Sequence, residues 1–593
     1  MLIKKNFINQ GRKRQQTLKS MHNSLCFRPA LSATREQEHD FTAPNKRIKP
    51  QPITQLLTVP LVYFWKVGAN MNSIVHIYYG LSLITERRLL MKKVTHLLIL
   101  LTLFVLMIPS ITLAGSIKEG GEAGTPGEWW AGESSSSISP SNHPILFVHG
   151  LNSSSTTWTI NNDMDETAYG AGYETAFIDL YPTKDMWENG AMLAQKIKEI
   201  SNYFGEKVVV VAHSKGGIDT QAALVHYGAD PYVEKVITLS SPHYGSQLAD
   251  LAYSSWAGWL SGILGSKNDA TYSLQTGYMD YYRSVTDKQS NVLDTPIYTL
   301  GGTKWGSFGS SLYWGGLYLS PYGSNDGAVT VNSSRLPYAT EIKVGDWNHT
   351  TIKEGSSTFF LFEDYLSENV NSFTNLQVKD TRINHEDTES DDRYANSYTH
   401  GGSYKGNTQE TIVVEPGVDA ITIDWISEQS ETTLQLASPD GKSYTAFHVN
   451  EDETEYLNGA YHHSTTIKSP EAGKWTLSAS NKHTEHFLLN VTYNSSLNSN
   501  LTANIRNGMV HINSKDRKLK VKTDMTVSYY KKGKLKQVKV NPRASKNSYR
   551  LPNLGEGIYN MTLNIKGTLD QHPVERTMIQ SVYVDENGQL FGH

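Results

Sequence analysis

Val208-Val-Val-Val-Ala-His-Ser-Lys-Gly-Gly217 is the stretch on which the fold turns. Four consecutive β-branched residues, with no polar residue between them, describe a strand covered on both faces, as in a parallel sheet. The strand runs into a serine flanked by two small residues, Ala212 and Gly216. That pattern describes a sharp strand-to-helix turn whose crowded backbone pushes a serine hydroxyl into a cleft. Alanine stands where glycine is usual on the strand side, and the smallest L-residue is tolerated there. Ser214 is therefore the candidate nucleophile.

A serine hydroxyl is a weak nucleophile and needs a base, which a third group must orient. On this kind of turn the acid and then the histidine follow the serine in the chain. The candidate base is His349 in Gly345-Asp-Trp-Asn-His-Thr350, after the last predicted strand. The candidate acid is Asp326 in Tyr322-Gly-Ser-Asn-Asp-Gly-Ala-Val329. Each has a plainer reading: Asp326 as an ordinary Asp-Gly turn, His349 as a structural histidine. Asp346 and Asp294 are rival acids that fit the order less well. Upstream, Val148-His-Gly-Leu-Asn152 follows the first core strand, where Gly150 permits a tight turn. The backbone N–H groups of Leu151 and Lys215 are the expected oxyanion donors, worth roughly 3 kcal/mol each. The Lys215 side chain reads as solvated beside the cleft.

Outward from this centre the chain divides into seven segments. Residues 1–90 carry fourteen Lys/Arg against four Asp/Glu. Residues 91–114 follow with Met-Lys-Lys, an apolar run from Leu97 to Ile108, and Thr112-Leu-Ala114, the pattern of a secretory signal peptide cut after Ala114. The alternative for this run is an uncleaved anchor. The expected start is Met91, with 1–90 as upstream sequence or a basic leader, because Glu86-Arg87-Arg88 can be encoded as a bacterial ribosome-binding sequence. Residues 115–142 read as a flexible linker. Residues 143–372 alternate strands and helices: strands at Ile145–Val148, Tyr173–Leu180, Val208–Val211, Val236–Leu239, Ile297–Leu300 and Glu341–Val344, and a helix with Leu193, Ile197, Ile200 and Phe204 on one face and Gly205 as its stop. That is an α/β domain with a mostly parallel sheet. Residues 373–397 are an acidic linker. Residues 398–497 and 498–593 carry short strand-like runs between turns and read as two small all-β sandwich domains.

Residues 115–593 hold a formal net charge of −16 and no cysteine, since Cys26 lies in the leader. The balance disfavours nucleic acid and anionic membranes, and the composition excludes a catalytic cysteine or a zinc–thiolate site.

Val148-His-Gly, Ala212-His-Ser-Lys-Gly-Gly, Ser241-Pro-His-Tyr-Gly-Ser246, Asn325-Asp-Gly-Ala-Val-Thr-Val-Asn-Ser-Ser-Arg-Leu336 and Asn348-His349 together resemble the successive motifs of secreted bacterial lipases of the α/β-hydrolase fold. The resemblance covers about residues 143–372 and implies an acyl-ester hydrolase using the triad already read. It does not reach residues 373–593. Many of those lipases bind calcium through an aspartate two positions after the histidine; here that position is Thr351, and no metal is predicted. A zinc site built from histidine and aspartate, as in another lipase group, lacks a partner set around His243.

Leu248–Leu264 carries Trp256, Trp259 and Leu260, and Gly306–Tyr322 carries Trp314. These insertions read either as a mobile lid and acyl-binding wall or as packing over the sheet. The leading expectation is a secreted serine carboxylic-ester hydrolase, lipase-like, without a cofactor, acting on lipid or other acyl esters. Alternatives are a polyester depolymerase or amidase with the same triad, and a non-catalytic surface-binding protein on a hydrolase scaffold. The β domains are expected to contact an insoluble substrate or the cell surface, or to act as spacers. The oligomeric state is left open.

Overall fold

The computed structural model describes residues 124–133, 142–367, 393–506, 508–531, 533–543 and 547–592. The leader, the signal peptide and nearly all of the acidic linker lie outside these residues.

The first sheet contains β1 (Trp129–Ala131), β2 (Ile145–Val148), β3 (Thr175–Ile178), β4 (Val208–His213), β5 (Val233–Leu239), β6 (Ile297–Gly302) and β7 (Thr340–Gly345). Its spatial order is β1-β3-β2-β4-β5-β6-β7. Every neighbouring pair is parallel except β1 with β3. β1 corrects the reading of 115–142 as a flexible linker. Trp130 stacks on Phe177 at 4.2 Å between ring centroids, which ties this short strand to the sheet edge.

The unbroken valine run of β4 follows from two-sided burial. Val208 and Val210 face one layer, with Leu193, Ile197 and Ile200 of α1 (Met186–Phe204). Val209 and Val211 face the other, with Phe147, Trp158, Phe359 and Phe362. All four valines are fully buried. α1 ends at Gly205, whose φ of +81° closes the helix in the left-handed conformation. The chain moves from β2 outward to β3 and then crosses to β4. The carboxyl ends of β2 and β4 therefore meet at the point where strand order reverses, where such sheets place their clefts.

α2 (Lys215–Tyr227) runs back from the cleft beside α1 on one face of the sheet, and α3 (Gln247–Ala252), α4 (Gly258–Ile263), α5 (Thr276–Thr286) and α6 (Ser311–Leu319) follow in the segments between and after β5 and β6. The C-terminal region is built from antiparallel strands. A twelve-stranded sheet has as its main path His448–Glu451, Tyr461–Lys468, Ala420–Ser427, Gly473–Asn494, Ser397–Val414, His572–Val584, Gly557–Leu569, Lys520–Lys531 and Lys534–Val540. A four-stranded sheet joins Arg393–Tyr394, Leu501–Arg506, Met509–Ser514 and Ser548–Arg550.

One apolar cluster joins the helices over the cleft to the C-terminal region. It contains Leu248, Leu251, Leu260 and Trp314 from the helices, with Ile426, Tyr456, Leu457, Leu488 and Ile579 from the β-rich part. Polar contacts fix the same seam. Trp256 Nε1 donates to Asn564 Oδ1 at 2.9 Å and Trp314 Nε1 to Asn490 Oδ1 at 3.1 Å. Asp250 Oδ1 accepts from Ser581 Oγ at 2.5 Å.

Candidate active site

Ser214 stands between β4 and α2 with φ +52° and ψ −131°, a conformation that non-glycine residues rarely adopt. Its N–H donates to the Leu239 carbonyl at 3.0 Å, which pins the turn to the neighbouring strand. The small residues around it are demanded by contact. A Cβ on Gly216 would lie 2.5 Å from the His149 carbonyl oxygen, and one on Gly150 would lie 2.7 Å from Ser214 Cβ. The Val148-His-Gly turn and the serine turn are thus pressed together, with Leu151 and Lys215 following them.

Two histidines that the sequence reading left without a role fix these turns. His149 Nε2 accepts from the Leu180 N–H at 2.9 Å, so its Nδ1 is the nitrogen that donates to the Gly150 carbonyl, also at 2.9 Å. Burial lowers its pKa, consistent with this neutral ring. His213 Nε2 donates to the His349 carbonyl at 2.8 Å, and its ring lies 4.7 Å from the His349 ring. Burial holds His213 well below its ordinary value too.

Asp326 is fully buried in the loop after α6. Its Oδ1 accepts from the N–H groups of Ala328 and Val329, at 3.0 and 2.7 Å. Its Oδ2 accepts from His349 Nδ1 at 2.7 Å. The His349 N–H also donates to the Asp326 carbonyl at 3.0 Å, so side chain and backbone set the imidazole together. The rival Asp346 carries its side chain into solvent near Lys304.

The cleft is occupied by the chain itself. Glu455, from the C-terminal region, places Oε2 3.1 Å from Ser214 Oγ and 3.7 Å from His349 Nε2. Ser214, Asp326 and His349 therefore converge, and one carboxylate oxygen sits between the hydroxyl and the imidazole. The Glu455 carbonyl accepts from Asn152 Nδ2 at 2.8 Å, and Glu455 has a φ of +70°. Beside it Tyr456 and Leu457 are buried in the cluster under α3, α4 and α6. Burial alone would lower the pKa of His349. Asp326 and then Glu455 override it and push the imidazole up to about 10. No sequence signal marked Glu455, which lies 241 positions beyond Ser214.

The Lys215 side chain corrects its expected solvation. It is buried, with Nζ 2.6 and 2.8 Å from the two carboxylate oxygens of Asp219 one helical turn on. Burial raises Asp219 to about 6 against the pull of Lys215. Trp256, Leu260 and Trp314 lie at the seam with the C-terminal region, the last two buried, while Trp259 is 67 % exposed. Ligand atoms of His213, His349 and Glu455 fall within 4.8 Å of one another. The hydrogen bonds just described already use His213 Nε2, His349 Nδ1 and Glu455 Oε2.

A PGAP1-like alpha/beta domain matches residues 183–255. The curated proteins contain no match to this chain. Among solved structures, the Bacillus licheniformis lipase BlEst2 in its propeptide form is 41% identical, covers 79% of this chain and 100% of its own, and superposes with a TM-score of 0.69. The mature form of BlEst2 is 57% identical over 41% of this chain and 100% of its own, with a TM-score of 0.40. The metagenomic carboxyl esterase MGS0156 is 17% identical over 39% of this chain and 76% of its own, with a TM-score of 0.32. By its match to BlEst2 over that lipase's full length, this chain belongs to the lipases/esterases of the α/β-hydrolase fold and is a carboxylic ester hydrolase.

Proposed function

We propose that this chain is a secreted serine ester hydrolase whose described form is latent. The observation that carries the reading is the single Glu455 oxygen lying between Ser214 Oγ and His349 Nε2. In the open enzyme Ser214 attacks the ester carbonyl and His349 takes the hydroxyl proton, then gives it to the leaving alcohol. Asp326 holds the imidazole through Nδ1. The N–H groups of Leu151 and Lys215 receive the oxyanion. Water then attacks the acyl-enzyme by the reverse route.

Glu455 blocks this in two ways. It fills the attack position, and its charge favours the imidazolium, which cannot accept a proton. The name of the BlEst2 propeptide form supports reading the C-terminal region as a propeptide. The signal-peptide pattern of residues 91–114 supports secretion.

Fluorophosphonate labelling of the full chain tests the reading. Glu455→Ala is expected to speed labelling at Ser214, and Ser214→Ala to abolish it. A folded Glu455→Ala chain that does not label would overturn it. p-Nitrophenyl esters of rising acyl length, an emulsified triglyceride and a polyhydroxyalkanoate film, offered to that variant, then separate lipase from polyester depolymerase.

A further inference from the structure

The loop that carries Glu455 is held by a second buried histidine with two carboxylates. His462 places Nδ1 2.8 Å from Asp424 Oδ2 and Nε2 3.2 Å from Asp452 Oδ1. All three side chains are at most 1% exposed. A neutral ring has one hydrogen and one lone pair, so it would turn a lone pair toward one carboxylate. Donation to both requires the imidazolium.

Asp452 is the base of the loop. Its N–H donates to the Ala460 carbonyl at 2.9 Å, closing residues 452–460 into a ring. Its Oδ1 also accepts from Thr454 Oγ1 at 2.6 Å, and its Oδ2 accepts from the Leu457 N–H at 3.2 Å. One carboxylate thus fixes the residues flanking Glu455 and Tyr456. The Trp314 ring closes the other side, 5.0 Å from the imidazole. The remaining charged or titratable neighbours are Glu453 on the loop and His463 along the strand.

Resting on the latent reading above, we infer that His462 is a positioning residue of the plug: its imidazolium, bonded to Asp424 and Asp452, seats the 452–460 loop in the cleft and makes latency proton-dependent, with opening at alkaline pH.

The direction follows from linkage. Burial alone would lower the His462 pKa, but Asp424 and then Asp452 raise it to about 10. His349 is raised to about 10 at the other end of the same loop. The groups facing His349 are Asp326, Glu455 and His213, with Lys353 beyond them near Glu455. A histidine whose value is raised further when the loop seats contributes fully below its value in the open state and loses the contribution as pH rises through the seated value. Both clamps therefore loosen in the same direction.

The test is the rate of fluorophosphonate labelling of the full-length protein from about pH 7 up to about pH 10, the value of the clamped histidines. Relative to Glu455→Ala, the parent is expected to gain at least about tenfold across this window, since the charged His462–Asp452 hydrogen bond and the His349–Glu455 ion pair are both lost. His462→Asn and the milder Asp452→Asn should label about tenfold faster than the parent at neutral pH, with a flattened pH profile. Neither should speed labelling further in a Glu455→Ala background, a coupling that general loosening would not produce. If Glu455→Ala labels no faster than the parent, the latent reading itself falls. If it does, while every folded variant at 452 and 462 keeps the parent's rate and profile, the role of His462 is overturned and latency stands.

Discussion

Two buried histidines, one in each region, have nearly the same electrostatic surroundings. His349 lies between Asp326 and Glu455, and His462 between Asp424 and Asp452. Both rise to about 10. They differ in what stands beside the ring. His349 shares the Glu455 oxygen with a serine hydroxyl on a strained turn, at the carboxyl ends of parallel strands. His462 lies in an antiparallel strand against Trp314, with the plug loop as its cargo. A carboxylate–imidazole pair is therefore not in itself a sign of chemistry; in the proposed mechanism the adjacent serine is what separates a base from a clamp.

The largest effect is expected from Ser214→Ala, which should lower hydrolysis by at least about 10⁴-fold in a Glu455→Ala background. The corresponding change beside His462, Thr454→Ala, should leave turnover in that background unchanged. Asp326→Asn should lower kcat by about 10³- to 10⁴-fold by losing the tautomer that offers Nε2 as base, measured on a soluble ester. Lys215→Met strands a buried carboxylate. It should cost about 3–5 kcal/mol in urea unfolding, and Lys215→Met with Asp219→Leu should recover most of that. Glu455→Ala should raise full-chain ester hydrolysis at neutral pH by about 10- to 100-fold, the worth of one charge-assisted hydrogen bond. The smallest effect is expected at the exposed Lys184 pair with Asp269, where Lys184→Ala should change stability by less than about 1 kcal/mol.

The local text of the catalytic region was legible because local rules govern it. β4 is buried on both faces, so its valine run needs no alternation, and Gly205 ends α1 because only a left-handed residue closes that helix. The pairing of Asp326 with His349 was legible as a candidate through order and turn chemistry. β1 was not: three residues, Trp129–Ala131, stand in Gly- and Ser-rich text, and their partners lie across the sheet edge, with Phe177 under Trp130, Tyr203 beside Trp129 and Ser155 Oγ accepting from Trp130 Nε1. The Lys215–Asp219 pair had a visible four-residue spacing, but spacing alone does not say whether a helix face is wet or buried.

Amino-acid order is enough to read the strand-to-helix turn at Ser214, the parallel sheet beneath it and the candidates Asp326 and His349, because each depends on propensity and spacing within a few residues. Long-range packing puts Glu455 in the cleft, keeps Lys215 dry and sets the 452–460 loop against His462. These depend on which surfaces meet between segments hundreds of residues apart. Burial then sets the charge state of each group, and no short stretch of chain encodes it.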